Sequence, residues 1–350
     1  MQATHSDQLF GHDNRFVTGI SLDSGLTRFS TNSELGTMGR DYVVGGSGAF
    51  LGPSGTPVSI GPAALRGTNQ YGGFYAINTF DVTNRFSISG GGRFNVARLT
   101  LEDQLGTSPN AVFVFDHFNP SFGGTYKLTP ITTAYAGYSE ANRAPTALEL
   151  GCSDPTRPCS AVSTAPLKQV ISHTVDVGLR GSYTYGDGRG AVDWRVGAFR
   201  IDNANDIFAI PSPVLQGFSY FQNIGSTRRQ GIESEITLRA KRFELYANYA
   251  FLDARFRDSL MISSNSPFAD ANGRIRVQPG NRIPVVAAHN FKAGIDYAVT
   301  DALKVGGDVL VVSSQFFDGD ESNQSAKLPA YAVFNLHGSY QIDRTFQIYG

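Results

Sequence analysis

The sequence predicts an all-β chain: a partial antiparallel transmembrane β-barrel of about 14 strands, with short periplasmic turns and long extracellular loops. Three observations carry this reading. Apolar and polar residues alternate through most of the 350 residues, the period of a strand with one apolar and one polar side. Tight turns and long loops alternate almost without exception, as they do when turns and loops lie on opposite sides of a membrane. Charged residues are 17% of the chain, below the roughly 25% of soluble domains, while 39 Gly, 25 Phe and 15 Tyr suit strands, turns and aromatic belts.

Composition also excludes. A formal charge of −1 removes the basic footprint of a nucleic-acid binder. No apolar run approaches the roughly 18 residues of a membrane-spanning helix; the longest aliphatic run is Val309 to Val312. Barrel strands escape such a test because their polar face dilutes it. Met1 to Asp7 is polar, with no basic start and apolar core, so no signal peptide is expected in these residues. No composition shift divides the chain, and residues 1–350 are expected to form one barrel domain.

In chain order, a first hairpin is expected through Phe16, Thr18, Ile20 and Leu22, turning at Asp23-Ser24-Gly25 and returning through Leu26 to Ser30. A Gly/Pro-rich loop follows from about Asn32 to Gln70. Gly73–Phe80 then turns at Asp81–Asn84 into Phe86–Val96, where Ile88, Phe94 and Val96 oppose Ser87, Ser89, Arg93 and Asn95. The clearest hairpin sets Phe122, Gly124, Tyr126 and Leu128 on one face, turns at Thr129-Pro130 and returns through Tyr135 to Tyr138. Proline suits the turn because it fixes φ and needs no ladder donor. After a loop from about Glu140 to Lys168, Val175, Val177 and Leu179 alternate with Thr174, Asp176, Gly178 and Arg180, and Gly186–Gly190 turns the chain toward Trp194–Ile201.

A long strand is expected over Phe218 to Arg239, with Gly225 and Gly231 as bulge or kink positions within it. Its second half sets Ile232, Ile236 and Leu238 against Glu233, Glu235, Thr237 and Arg239. Lys241-Arg242 form a minimal turn into Phe243–Phe256. After a loop to about Ala287, Phe291, Ala293, Ile295, Tyr297 and Val299 alternate with Lys292, Gly294 and Asp296. Thr300-Asp301 turn into Leu303–Phe316, and Tyr331–Gln341 follows one more loop. The turns are too short, and the polar rows too persistent, for a thick core on both sides. Apolar rows toward lipid and polar rows toward a lumen fit better, because in lipid only a closed ladder satisfies every backbone group.

Several motifs then resemble one family. Asn119-Pro120, Gly123, Tyr126, Tyr135, Tyr138 and Arg143-Ala144-Pro145-Thr146 with Glu149-Leu150 look like the barrel hairpin of TonB-dependent outer-membrane receptors. Asn223-Ile224-Gly225 with Arg228 and Gly231-Ile232-Glu233 resembles a later strand motif of that family. Pro279-Gly280-Asn281-Arg282-Ile283-Pro284 resembles its turn-in before a following strand, and Leu328-Pro329-Ala330-Tyr331 with Asn335 its penultimate portion. The likeness covers most of residues 70–350.

The resemblance implies an outer-membrane barrel of a Gram-negative bacterium for TonB-energised uptake of a scarce ligand, most often a ferric siderophore and sometimes cobalamin or a sugar. The implied partners are outer-membrane lipid, the ligand, and the TonB complex reached only through a plug. No plug or TonB-binding box is visible, and the family barrel has about 22 strands, so a truncated, plug-less, monomeric barrel is expected. The alternatives are a passive diffusion pore, which requires the strands to close on themselves, and a soluble secreted β-rich binding protein.

Candidate sites follow from this frame. Cys152 and Cys159 bracket six residues in a loop that the barrel reading places outside the cell, where an oxidising export route permits a disulfide; free thiols or a metal pair are the alternatives. Arg143 and Pro145 contact ligand or plug, or simply form the rim and end a strand. Gly231, Glu233, Pro279, Gly280 and Arg282 carry the motifs. Asp176, Arg180, Glu233, Glu235 and Arg239 are expected to face the lumen, either lining a polar path or paired and solvated. Asp318-Gly319-Asp320-Glu321 reads as a solvated acidic loop rather than a calcium site, because it lacks the distal Glu. The aromatics Tyr220-Phe221, Phe268 and Phe316-Phe317 read as a lipid-interface girdle, or else as the lining of a vestibule. The six His are dispersed, no Gly-x-Ser-x-Gly elbow appears, and no enzyme activity, metal or cofactor is expected.

Overall fold

The computed structural model describes residues 1–50, 63–106, 110–155, 166–186, 188, 190–213 and 218–350. Its elements in order are β1 (Gln2–Leu9), β2 (His12–Thr31), β3 (Glu34–Met38), β4 (Val44–Phe50), β5 (Ala63–Asp81), β6 (Phe86–Asp103), β7 (Ala111–Thr129), β8 (Thr132–Arg143), α1 (Ala147–Gly151), β9 (Val170–Tyr185) and β10 (Gly190–Ala204). Then come β11 (Ile207–Pro211), β12 (Ser219–Asn223), β13 (Thr227–Ala240), β14 (Phe243–Phe256), β15 (Leu260–Ser263), β16 (Arg274–Val277), β17 (His289–Ala298), β18 (Leu303–Val312), β19 (Tyr331–Gln341) and β20 (Gln347–Tyr349).

Fourteen strands make one antiparallel sheet in the order β1-β2-β5-β6-β7-β8-β9-β10-β13-β14-β17-β18-β19-β20. The pairs β3–β4, β11–β12 and β15–β16 are separate small hairpins set in the long loops. Every wall strand therefore pairs with the next wall strand in sequence, the up-and-down topology of a transmembrane barrel. Among the described residues no ladder joins β1 to β20.

The ladder keeps one set of side chains on one face across many strands. One row runs Trp194, Ile236, Ala247, Ala293, Val309, Phe334 from β10 to β19. The next row, on the other face, runs Asp193, Thr237, Tyr246, Gly294, Asp308, Asn335. The apolar rows are not a core. Val175 and Val177 are 52% and 53% exposed, and Phe291 and Ile295 are 37% and 42% exposed. A contiguous apolar face this large is unstable against water but matches hydrocarbon.

Short turns close one end of the wall. Lys241 and Arg242 alone separate the paired residues Ala240 and Phe243, with Lys241 at φ 40. Aromatic pairs cluster beside these turns: Phe86 with Tyr126, ring centroids 6.4 Å apart, and Phe243 stacked on Tyr297 at 4.5 Å. Aromatic belts of this kind flank the apolar band of membrane barrels.

Two expected elements differ. Asp23-Ser24-Gly25 do not turn: they lie within the 20-residue β2 and pair with Tyr71, Gln70 and Asn69 of β5. The first hairpin is β1–β2, turning at Phe10 and Gly11, whose φ values are 55° and 80°. Cross-strand pairing along the whole of β5 overrides the turn preference of those three residues. The long strand from Phe218 to Arg239 is also broken. Gly225, at φ 86, separates the side hairpin strand β12 from the wall strand β13.

Candidate functional site

The functional surfaces are the polar face of the wall and the crown of long loops above it. On the polar face, Arg195 pairs with Glu235 at 2.8 Å, and Arg239 with Asp193 at 2.6 Å and Glu244 at 3.7 Å. Asp176, Arg180 and Glu233 share this face by register and have no ion pair among the described residues. Strand-to-strand approach here is set by small residues. The Tyr135 ring lies across Gly178 and Gly197 of the next two strands, where an added Cβ would come within 2.5 and 2.6 Å of its hydroxyl. At Gly231 an added Cβ would stand 1.9 Å from the Phe251 carbonyl oxygen, so this motif glycine is required by the ladder and not by a ligand.

The loop after β8 folds back over the polar face. Thr146 caps α1: its side chain accepts from the Glu149 N–H, and the Glu149 carboxylate accepts from the Thr146 N–H. The same carboxylate holds Arg143 at 2.7 Å, which fixes the rim arginine to the helix. Pro145 is fully buried. Ala147 and Leu150 pack with Leu65, Ala97, Leu99, Leu101 and Leu167, and the Cys152 carbonyl accepts from Phe221 N–H of β12. The loop thus ties the tops of β5 and β6 to the β11–β12 hairpin. Cys152 is buried at the end of α1; Cys159 lies outside the described residues. The Thr146-x-x-Glu149 spacing is a capping-box signal that locates α1 inside the loop expected from about Glu140 to Lys168.

A second cluster fills the other loops. Ile210, Tyr220, Ile224, Phe256, Ile262, Ile275, Val277 and Ile283 form a buried core among β11, β12, β15, β16 and the top of β14. Tyr220 is therefore a core residue, and Phe221 packs against the first cluster; neither belongs to a lipid girdle, because the hairpin packs both into the loop clusters. The Pro279–Pro284 motif pins this core. Gly280, at φ 97, donates to the Phe256 carbonyl at 2.9 Å and accepts from Arg255 at 3.0 Å. Arg282 reaches Asp253 at 3.6 Å, and Asn323 donates to the Arg282 carbonyl at 2.9 Å.

Between the three loops lies a cavity of about 560 Å³, bordered by Phe208, Pro211, Pro267, Pro284 and Phe317, with Asp318, Asp320 and Glu321 on one side. The acidic run is solvated as expected only at Asp318, which is exposed; Asp320 and Glu321 are 2% and 6% exposed. Asp320 is consumed by the loop itself, accepting from Gln324 N–H at 2.9 Å and Ser325 N–H at 3.0 Å. Burial, reinforced by the negative Asp318 and Asp320 beside it, pushes the Glu321 carboxyl above the usual carboxylate value. Among the described residues no group of His, Cys, Asp and Glu is arranged to hold a metal ion.

This architecture has close counterparts. The family model for the TonB-dependent receptor-like β-barrel matches residues 2–350. The siderophore receptor PiuA from Acinetobacter baumannii superposes with a TM-score of 0.69 at 15% identity, over 97% of this chain and 48% of that one. The unliganded ferric citrate transporter FecA gives 0.66 at 16%, over 98% and 46%. The ferric yersiniabactin uptake receptor FyuA from Yersinia pestis gives 0.63 at 17%, over 99% and 46%. The chain thus spans about half the length of these structures. No curated protein sequence matches it. With a family model matching almost end to end and a two-faced, up-and-down wall beneath it, the chain belongs to the TonB-dependent receptor β-barrel family.

Proposed function

We propose that this chain forms part of an outer-membrane receptor that captures a scarce ligand, a ferric siderophore, for uptake energised through TonB. The observation that carries the reading is the continuous two-faced wall, whose long-loop end is organised into two packed clusters and a cavity. On this reading the short turns are periplasmic and the long loops extracellular, so the cavity opens where ligand arrives. The neighbours named as siderophore, ferric citrate and ferric yersiniabactin receptors support the ligand class.

The family model accounts for residues 2–350 as barrel, so gated transport needs a plug from outside them. Within a closed barrel these residues supply a monomeric, lipid-embedded wall that captures ligand without moving it. Cells displaying the chain are expected to bind radiolabelled ferric siderophore, with uptake only when a plug is supplied and TonB is present. Purified TonB C-terminal domain is expected to show no affinity for the chain alone, and a measurable complex would contradict this division of labour. A steady open channel in planar bilayers would favour a diffusion pore instead; that no ladder joins β1 to β20 among the described residues argues against it.

A further inference from the structure

The loop cavity carries a chemical signature of its own. One part of its wall is apolar, from Phe208 and Phe317 with Pro211, Pro267 and Pro284, and Ser219, Asn265, Ser266 and Ser325 line the rest beside the acidic run. Its charge is of one sign. Glu321 is only 6% exposed, borders the cavity, and among the described residues has its own backbone N–H as its donor. Asp318 borders the same space and has no ion pair among the described residues.

Among the described residues neither Glu321 nor Asp318 is ion-paired with a Lys or Arg, and three arginines are held by other carboxylates. Arg255 and Arg282 are held by Asp253, and Arg274 by Asp270. Lys327 sits over the Phe316 ring at 4.8 Å. A carboxylate held in a part-desolvated pocket without a counter-charge costs free energy, and a cation entering from outside recovers it. Aromatic walls add to the attraction for an organic cation, because the ring face is negative. A cavity of about 560 Å³ lies within the usual range for small-molecule sites.

We propose that this cavity binds an organic cation, an alkylammonium or guanidinium group carried on an apolar body, with Glu321 and Asp318 as counter-charges and Phe208 and Phe317 as walls. This rests on the reading of the crown as the ligand-capturing side and narrows it: the captured ligand carries a cationic arm, and the iron-bearing part is held elsewhere.

The test uses the full chain in detergent micelles, with phenethylammonium, 2-phenylethanol and 3-phenylpropanoate as probes, matched in shape and differing in charge. Binding is followed by saturation-transfer NMR and calorimetry. The cation is expected to bind at least about tenfold more tightly than the alcohol, with the carboxylate weakest. Glu321→Gln and Asp318→Asn are each expected to remove most of that preference while the heat-modifiable band of the folded barrel is kept. Asp301→Asn, in a short turn at the other end, is expected to change nothing. Equal binding of cation and alcohol, or an undiminished preference in both folded loop variants, would overturn the proposal. Ferric-siderophore binding measured in parallel separates the two readings: its loss with cation binding intact sinks the siderophore assignment alone, and the reverse pattern sinks the cavity proposal alone.

Discussion

Replacing Val177 by Arg separates a lipid-facing wall from a water-facing one. Val177 stands at the middle of the 16-residue β9 and pairs with Ala136 and Ala198. It is 53% exposed on the apolar face. Were that face in water, the substitution would touch no partner and cost less than about 0.5 kcal/mol. In hydrocarbon, an arginine at the bilayer midplane costs about 2–4 kcal/mol, or roughly 30- to 800-fold in the folded-to-unfolded ratio.

The control is Glu233→Arg, an exposed position on the opposite face, where the charge remains in water. Unfolding in guanidinium from lipid vesicles is followed by the fluorescence of Trp194, the single tryptophan, which lies on the apolar face beside Gly181 and Ile236. The expected result is a large loss for Val177→Arg and little change for Glu233→Arg. Equal, small shifts for both would refute the assignment of the faces.

Four further outcomes are expected. Gly231→Ala places a methyl against the Phe251 carbonyl and should cost about 1–3 kcal/mol in the same unfolding assay, with Gly225→Ala strained separately by its φ of 86. Glu149→Ala removes both the α1 cap and the Arg143 partner; a loss of about 1–2 kcal/mol of local stability should appear as faster proteolysis between residues 144 and 169. Glu321 has a raised pKa in the folded loop, so the native state binds the extra proton. Loop stability should be full below the ordinary carboxylate value and fall as pH climbs through the raised one, read as faster amide exchange in residues 313–330 and abolished in Glu321→Gln. Non-reducing peptide mapping should find Cys152 joined to Cys159, and free thiols at both would remove that expectation.

The sequence was legible where one strand declares its own faces. Val175, Val177 and Leu179 alternate with Asp176 and Arg180 because side chains of a strand point to opposite sides at every step, and the ladder had only to preserve that order. Turns such as Lys241-Arg242 were legible because an abrupt change of pattern leaves no room for a longer connection. Asp23-Ser24-Gly25 misled because a local turn preference is weaker than pairing along a full-length neighbour. The buried state of Asp320 and Glu321 had no local signal, since an acidic run looks alike whether water or another loop covers it.

By itself, then, the order of residues determined a two-sided strand, its repetition and the alternation of short and long connections. All of these depend on interactions between residues close in the chain. Only the tertiary structure decided how the crown packs. Residues as far apart as Ile210 and Ile283 share one core, and carboxylates of the 313–330 loop share a cavity with Phe208 and Pro267 from two other loops. Burial and uncompensated charge are properties of what arrives from elsewhere in the chain, and no local pattern contains them.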